Sequence, residues 1–328
     1  MIKTKSPWFW VPTLYFAQGI PYFIVNNISV MMFTKMGVPN GEMALFTSLL
    51  YLPWSFKPFW SPFVDIIKTK RWWTITMQIL MSIAFILLTM TIPTPDAEMM
   101  ASQTTPISMF TVTLLLFTIT AFASATHDIA ADGFYMLALP QNEQAAFVGI
   151  RSTFYRLASI FGQGVLVAIA GAIELSSQDI PFSWRITMLV TAVIFSATTL
   201  YHTFFVPRPD SDRSVLGEEK ASAKAIFREF GRTFATYFKK PGVVLAICFM
   251  LLYRLPEAFL LKLCMPFLVA SREMGGLGLS TAEVGIVYGT IGVIFLTVGG
   301  ILGGIFASRL GLKKSLWWMA ACMTLPCL

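Results

Sequence analysis

Residues 107–135 read ISMFTVTLLLFTITAFASATHDIAADGFY. The first seventeen of these carry no charge, close to the roughly 20 apolar residues that a helix needs to cross a bilayer. His127, Asp128 and Asp132 then follow with no proline between. A charge at the bilayer centre costs about 2.5–3.5 kcal/mol on insertion scales. Either the helix stops before His127, or these groups face the inside of a bundle. The first reading leaves a single span with a polar tail. The second makes the stretch one member of a polar-cored helical assembly.

The remaining sequence favours the assembly. Of 328 residues, 56% are hydrophobic and 12% charged, whereas a soluble domain is about a quarter charged. Apolar runs of spanning length fall at 8–34, 43–64, 72–93, 107–136, 145–174, 186–206, 243–270 and 284–308. A ninth begins at Ser315 and meets Leu328 after about 21 Å of helix, short of a crossing. The prediction is an all-α polytopic membrane protein that stops inside its ninth helix. The start, MIKTKSP, is basic and runs into the first span with no small-residue cleavage pattern.

Positive charge sets the expected orientation. With the N-terminus in the cytoplasm, sixteen of the 24 Lys and Arg fall in cytoplasmic segments: Lys3, Lys5, Lys68, Lys70, Arg71, eight from Arg208 to Lys240, and Arg309, Lys313 and Lys314. The formal charge of +7 therefore reports topology, and no nucleic-acid partner is expected. Cys248, Cys264, Cys322 and Cys327 lie in apolar runs without paired spacing, so they read as small apolar residues. No metal and no cofactor is expected.

Three regions follow: a six-helix bundle over 1–206, a cytoplasmic linker over 207–242, and the start of a second bundle over 243–328. The linker contains AKAIFREFGRTFATYFKK (223–240). Ile226, Phe230, Phe234 and Tyr237/Phe238 share one helical face, with Lys224, Arg228, Arg232, Lys239 and Lys240 around them, the pattern of a helix on a membrane surface. An internal repeat joins the halves. SPFVDIIKTKRWW (61–73) parallels GGIFASRLGLKKSLWW (303–318), each with a basic cluster and then a Trp pair. Upstream, KMGVPNGE (35–42) parallels REMGGLGLSTAE (272–283), and Pro21 parallels Pro256.

Depth counting places the charges. Counted from Pro140 at the turn, Asp132 is about 12 Å deep and Asp128 about 18 Å. On the next helix, counted from Ala145, Arg151 is about 9 Å deep and Arg156 about 16 Å. Two ion pairs are expected, Asp128 with Arg156 and Asp132 with Arg151. They act as a structural clamp or as part of a solute and proton pathway. His127 adds a group that titrates near neutrality, turned about 100° from Asp128.

Six helices, a long loop and a second copy resemble the major facilitator superfamily, whose signature loop has the form G-x-x-x-D-R-x-G-[RK]-[RK]. GIFASRLGLKK (304–314) resembles it, with Ser308 in place of the acid and Leu312 before the Lys pair; the first copy keeps Asp65. Asp65, Arg71, Arg151 and Arg309 are the conformational-gate candidates that this resemblance implies.

The sequence also resembles one branch, the AmpG-type muropeptide permeases, which are related to acetyl-CoA transporters. The residues that carry this are DIAADGF (128–134), PQNE (140–143), Tyr155–Arg156, YLPWSFKPFWSPFVD (51–65) with Lys57, LYRLPE (252–257) and PFL (266–268). The resemblance implies a secondary active transporter, not an enzyme, in the bacterial inner membrane. It would import anhydro-muropeptides together with protons, most simply as a monomer. Asp128, Asp132, Glu257 and His127 are its proton-coupling candidates. Arg156, Lys57, Arg254, Lys262, Gln18, Tyr22, Asn26, Asn27 and Gln163 are its solute-binding candidates, because carboxylates need cations and sugars need aromatic faces. A facilitator for another organic anion, nucleotide or drug remains an alternative, as does a membrane sensor that no longer transports. A twelve-helix facilitator needs roughly 90–110 more residues than this chain holds.

Overall fold

A computed structural model describes residues 6–36, 38, 40–92, 109–214, 223–253, 255, 271–278 and 291–324. Every regular element among them is helical. After a 3-10 turn at Pro7–Phe9 come α1 (Val11–Phe23), a π turn (Ile24–Ile28) and α2 (Ser29–Lys35), which form one run. Then follow α3 (Asn40–Ile67), α4 (Lys70–Thr91), α5 (Met109–Ala138), α6 (Gln141–Ile160), a second π turn (Phe161–Leu166), α7 (Val167–Ser177) and α8 (Ile180–Phe205). Beyond the connection are α9 (Ala223–Phe238), α10 (Val243–Tyr253), a 3-10 turn (Arg272–Met274), α11 (Gly292–Leu310) and α12 (Leu312–Thr324).

The stretch that opened the question is a single helix. α5 runs unbroken through His127, Asp128 and Asp132 to Ala138, so the charges sit inside a span. Among the described residues, four helical runs are long and apolar enough to cross a membrane: Lys70–Thr91, Phe110–Ala138, Gln141–Ser177 and Ile180–Phe205. Val11–Lys35 and Asn40–Ile67 are of comparable length, the first interrupted by a π turn and the second carrying Pro53, Pro58 and Pro62. Each internal proline removes a backbone donor and crowds the preceding turn. Pro21 precedes the first π turn in the same way.

The chain divides into two compact units, Met1–Leu139 with Phe154–Ile226, and Pro140–Thr153 with Phe227–Leu328. In the first, α4 packs on α5 and α8, and α1 and α3 also pack on α5. Phe33, Phe85, Phe117, Phe195, Trp184 and Met188 fill its core. Outward-facing side chains such as Leu200 and Phe204 are more than three-fifths exposed, as expected of helices whose outer faces meet hydrocarbon.

In the second unit the first part of α6 crosses α11 at glycines. A Cβ on Gly149 would lie 2.4 Å from the Gly300 carbonyl oxygen, and one on Gly304 would lie 3.1 Å from that of Ala145. Small residues let backbones approach where lipid supplies no hydrophobic drive. The Ser308 hydroxyl also donates to the Asn142 carbonyl at 3.2 Å. Gly311 ends α11 with φ near 78°, a value suited to glycine.

Candidate functional site

The polar centre of the first unit is built on α5. Asp128 and Asp132 are four residues apart and so share a face. Asp128 accepts a hydrogen bond from the Gln18 amide through one oxygen and pairs with the Lys57 ammonium through the other. Asp132 accepts from the Tyr15 hydroxyl at 2.9 Å. Three helices thus deliver the set: α1 gives Tyr15 and Gln18, α3 gives Lys57, and α5 gives both carboxylates. The pair is sheltered but not sealed, with side chains 27% (Lys57) and 17% (Asp128) exposed.

This arrangement corrects one expectation. Asp128 does not pair with Arg156; its cation is Lys57. α3 also packs on α5 and brings Lys57 against Asp128. Arg151 and Arg156 also stand five residues apart, about 140° around their helix, so both cannot face α5. Among the described residues Arg156 makes no ion pair, and it stays half-buried. Asp132 and Arg151 belong to different compact units.

A cluster of aromatic rings is built from two of the same helices, α1 and α3, one turn along from Gln18 and Lys57, and from α6. Tyr22 meets Trp54 edge-on at 5.2 Å and Tyr155 at 6.3 Å. Trp54 also approaches Tyr51 at 6.4 Å, and Phe23 approaches Tyr155 at 5.4 Å. α1 and α6 come close here because Gly19 carries no side chain; a Cβ on it would lie 2.6 Å from that of Ala158. The candidate list contained Tyr22 and lacked Tyr15, Tyr51, Trp54 and Tyr155. A signal for them existed. Tyr15, Gln18 and Tyr22 follow a three-then-four spacing, and Tyr51, Trp54 and Lys57 a three-and-three spacing, each set lying on one helical face.

Other candidates occupy plainer positions. Asn26 donates to the Tyr22 carbonyl at 2.9 Å inside the π turn, and Asn27 is exposed. Gln163 is exposed and donates to Ser159 at 2.8 Å. His127 is fully buried on a different face of α5 from Asp128. Its Nε2 lies 2.9 Å from the Gln78 amide nitrogen. The Gln78 oxygen lies 3.0 Å from His202 Nδ1, and His202 Nε2 lies 3.0 Å from the Thr13 hydroxyl. One amide thereby bridges two buried imidazoles and links α1, α4, α5 and α8. Arg254, Glu257 and Lys262 lie outside the described residues.

The gate candidates of the first unit, Asp65 and Arg71, lie about the α3–α4 turn. Asp65 pairs with Lys70. Asp212, which was not among the candidates, accepts the backbone N–H of Lys70 at 2.7 Å and of Arg71 at 2.9 Å. It thus satisfies donors at the N-terminus of α4, where a negative charge is also favoured by the helix dipole. The Arg71 guanidinium donates to the carbonyls of Thr203 at 2.7 Å and Val206 at 3.2 Å, at the C-terminal end of α8. Arg309, near the end of α11, is exposed.

The pattern of the Major Facilitator Superfamily matches residues 13–328. The chain is 27% identical over 307 residues to an anhydromuropeptide permease of Escherichia coli (strain K12), covering 92% of this chain and 55% of the relative. It is 27% identical over 310 residues to a putative transporter AmpG 4 of Rickettsia conorii, covering 91% and 67%. An uncharacterized protein of Haemophilus influenzae is 22% identical over 310 residues, covering 92% and 65%. The chain spans about half the length of the Escherichia coli relative.

Proposed function

Because the chain belongs to the Major Facilitator Superfamily, whose members are transporters in the membrane, we propose that it serves proton-coupled import of anhydro-muropeptide-like solutes. The observation that carries this is the pairing of two kinds of chemistry in one place. Lys57, paired with Asp128, stands one helical turn from Trp54, which meets Tyr22, which meets Tyr155; and Arg156, next in sequence to Tyr155, has no ion-pair partner among the described residues. A muropeptide offers carboxylates for cations and sugar faces for aromatic rings. The relatives named as anhydromuropeptide permease and AmpG-type transporters support the same solute class.

The coupling follows from charge balance. With no solute, Lys57 and Asp128 neutralise each other. A solute carboxylate competes for Lys57 and for Arg156. Asp128 then loses its cation in a low-dielectric site and is neutralised by a proton. Solute and proton occupy the site together, and departure of one restores the ion pair and expels the other. Gln18 holds Asp128 in place during the exchange.

The test is uptake of radiolabelled anhydro-muropeptide by the full-length protein in vesicles with an imposed pH gradient. Gradient-dependent uptake is expected, with loss of about tenfold or more in Asp128→Asn, Lys57→Met and Arg156→Gln, the size of a lost charge-assisted contact. Uptake that ignores the gradient, or that survives all three substitutions, defeats the proposal.

A further inference from the structure

We propose that α9 is a docking surface for anionic phospholipid, lying in the plane of the membrane between its apolar and basic faces. The helix is amphipathic at the residue level. Phe227, Phe230, Phe234 and Phe238 recur at intervals of three or four, with Ile226 and Tyr237 beside them, so six apolar side chains share one arc. Lys224, Arg228 and Arg232 recur every four residues on another arc, and Lys239 and Lys240 extend it past the helix end. Glu229 is the sole acid from 223 to 240 and is tied to Arg232 at 3.6 Å. The five cations are exposed, and so are the rings of Phe227 and Phe238, 67% and 61%.

Geometry supplies the orientation. α10 follows after a four-residue break and bends away from α9 by 77°. α10 is apolar, and its Val244, Leu245, Leu251 and Leu252 are strongly exposed. A helix with such an outer surface is at home in hydrocarbon, within the modest tilts that spans adopt. A helix nearly perpendicular to it then lies close to the membrane plane. In that pose the phenylalanine arc dips into the acyl boundary and the basic arc lies among headgroups. Five cations against one carboxylate select an anionic headgroup over a zwitterionic one. The partner is therefore a lipid surface and not a folded protein, whose apolar contact would leave the basic stripe without a counterpart.

This inference does not rest on the identity of the transported solute. The full chain is reconstituted into vesicles of phosphatidylcholine alone or with added phosphatidylglycerol. A nitroxide is placed by Phe234→Cys, by Phe227→Cys or by Arg228→Cys, with the native cysteines changed to serine. Collisions with oxygen and with a water-soluble nickel chelate report depth. In anionic vesicles the labels at 234 and 227 should favour oxygen, and the label at 228 should favour nickel. Without phosphatidylglycerol the contrast should shrink. Neutralising Arg232 and Lys224 together (Arg232→Gln, Lys224→Gln) should reduce the docked fraction in anionic vesicles about fivefold per cation. Nickel access at 234 equal to that at 228 means that the helix stands in water and overturns the proposal. Shelter from both probes means that protein covers the face, and overturns it equally. Depth readings identical in the two lipids would sink the headgroup preference.

Discussion

At the scale of single residues, the ion pair of Lys57 with Asp128 separates two roles that are easily confused, holding helices together and moving a proton. Removing one partner strands the other, which costs about 2 kcal/mol for a pair neither fully buried nor fully exposed. Lys57→Met or Asp128→Asn should therefore lower the melting temperature in detergent as well as uptake. The double variant Lys57→Met with Asp128→Asn leaves no charge without its partner and keeps an acceptor for the Gln18 amide. Its melting temperature should return toward that of the parent while uptake stays lost. Recovery of uptake with recovery of melting would assign the pair to structure alone. Gln78 gives a second test. Gln78→Leu leaves both His127 and His202 short of a partner, a cost of about 1–3 kcal/mol for each buried group. A lower melting temperature with an unchanged pH profile of uptake is the expected outcome, because this network occupies a different face of α5 from Asp128.

That one helix continues through Asp128 and Asp132 followed from the sequence. Direction around the helix was less legible. The reading paired α5 with α6 because they are neighbours in the chain, and Lys57 on α3 was placed among solute contacts instead of beside Asp128. Asp212 escaped notice for a related reason. Its task, to receive two backbone donors of α4 from a loop 141 residues later, leaves no local pattern.

At the scale of elements, helix type was the most readable property. Long charge-poor runs identify spans because hydrocarbon tolerates little else; α4 and α5 begin and end within two residues of the expected bounds, whereas α8 begins at Ile180, six residues before the expected start at 186. The π turns were not foreseen. They depend on how Pro21 and the neighbouring helices share backbone hydrogen bonds, which no short-range pattern encodes. The glycines make a sharper prediction. Gly149→Ala places a methyl against the backbone of α11 and should cost about 1–3 kcal/mol, as overpacking does. Gly300→Ala meets its nearest neighbour at 3.9 Å, and Gly171→Ala meets nothing within 4 Å; both should be tolerated. Equal melting temperatures for the three proteins would show that this crossing is not tight.

At the scale of the whole molecule, the asymmetry of positive charge predicts a topology that can be read directly. Single cysteines at Lys68, Ser214 and Lys240 should react with a membrane-impermeant maleimide only after cells are opened. A cysteine at Gln178, at the far end of α7, should react in intact cells. The reverse pattern would put the N-terminus outside. The family itself was legible because two copies of a loop and a helix–loop–helix order survive in the sequence. The solute is not legible from the fold, since a facilitator's fold does not dictate its cargo.

The three prolines of α3 have a consequence for exchange kinetics. Pro53, Pro58 and Pro62 leave the carbonyls of Leu49, Trp54 and Pro58 without the amide that would close the next turn. The helix that presents Lys57 is thus short of three rungs around that residue. In deuterium exchange its remaining amides should open sooner than those of α4, whose ladder has no proline. Such a segment is a soft spring at the point where, in the proposed exchange, the ammonium swings between a carboxylate of the protein and one of its cargo.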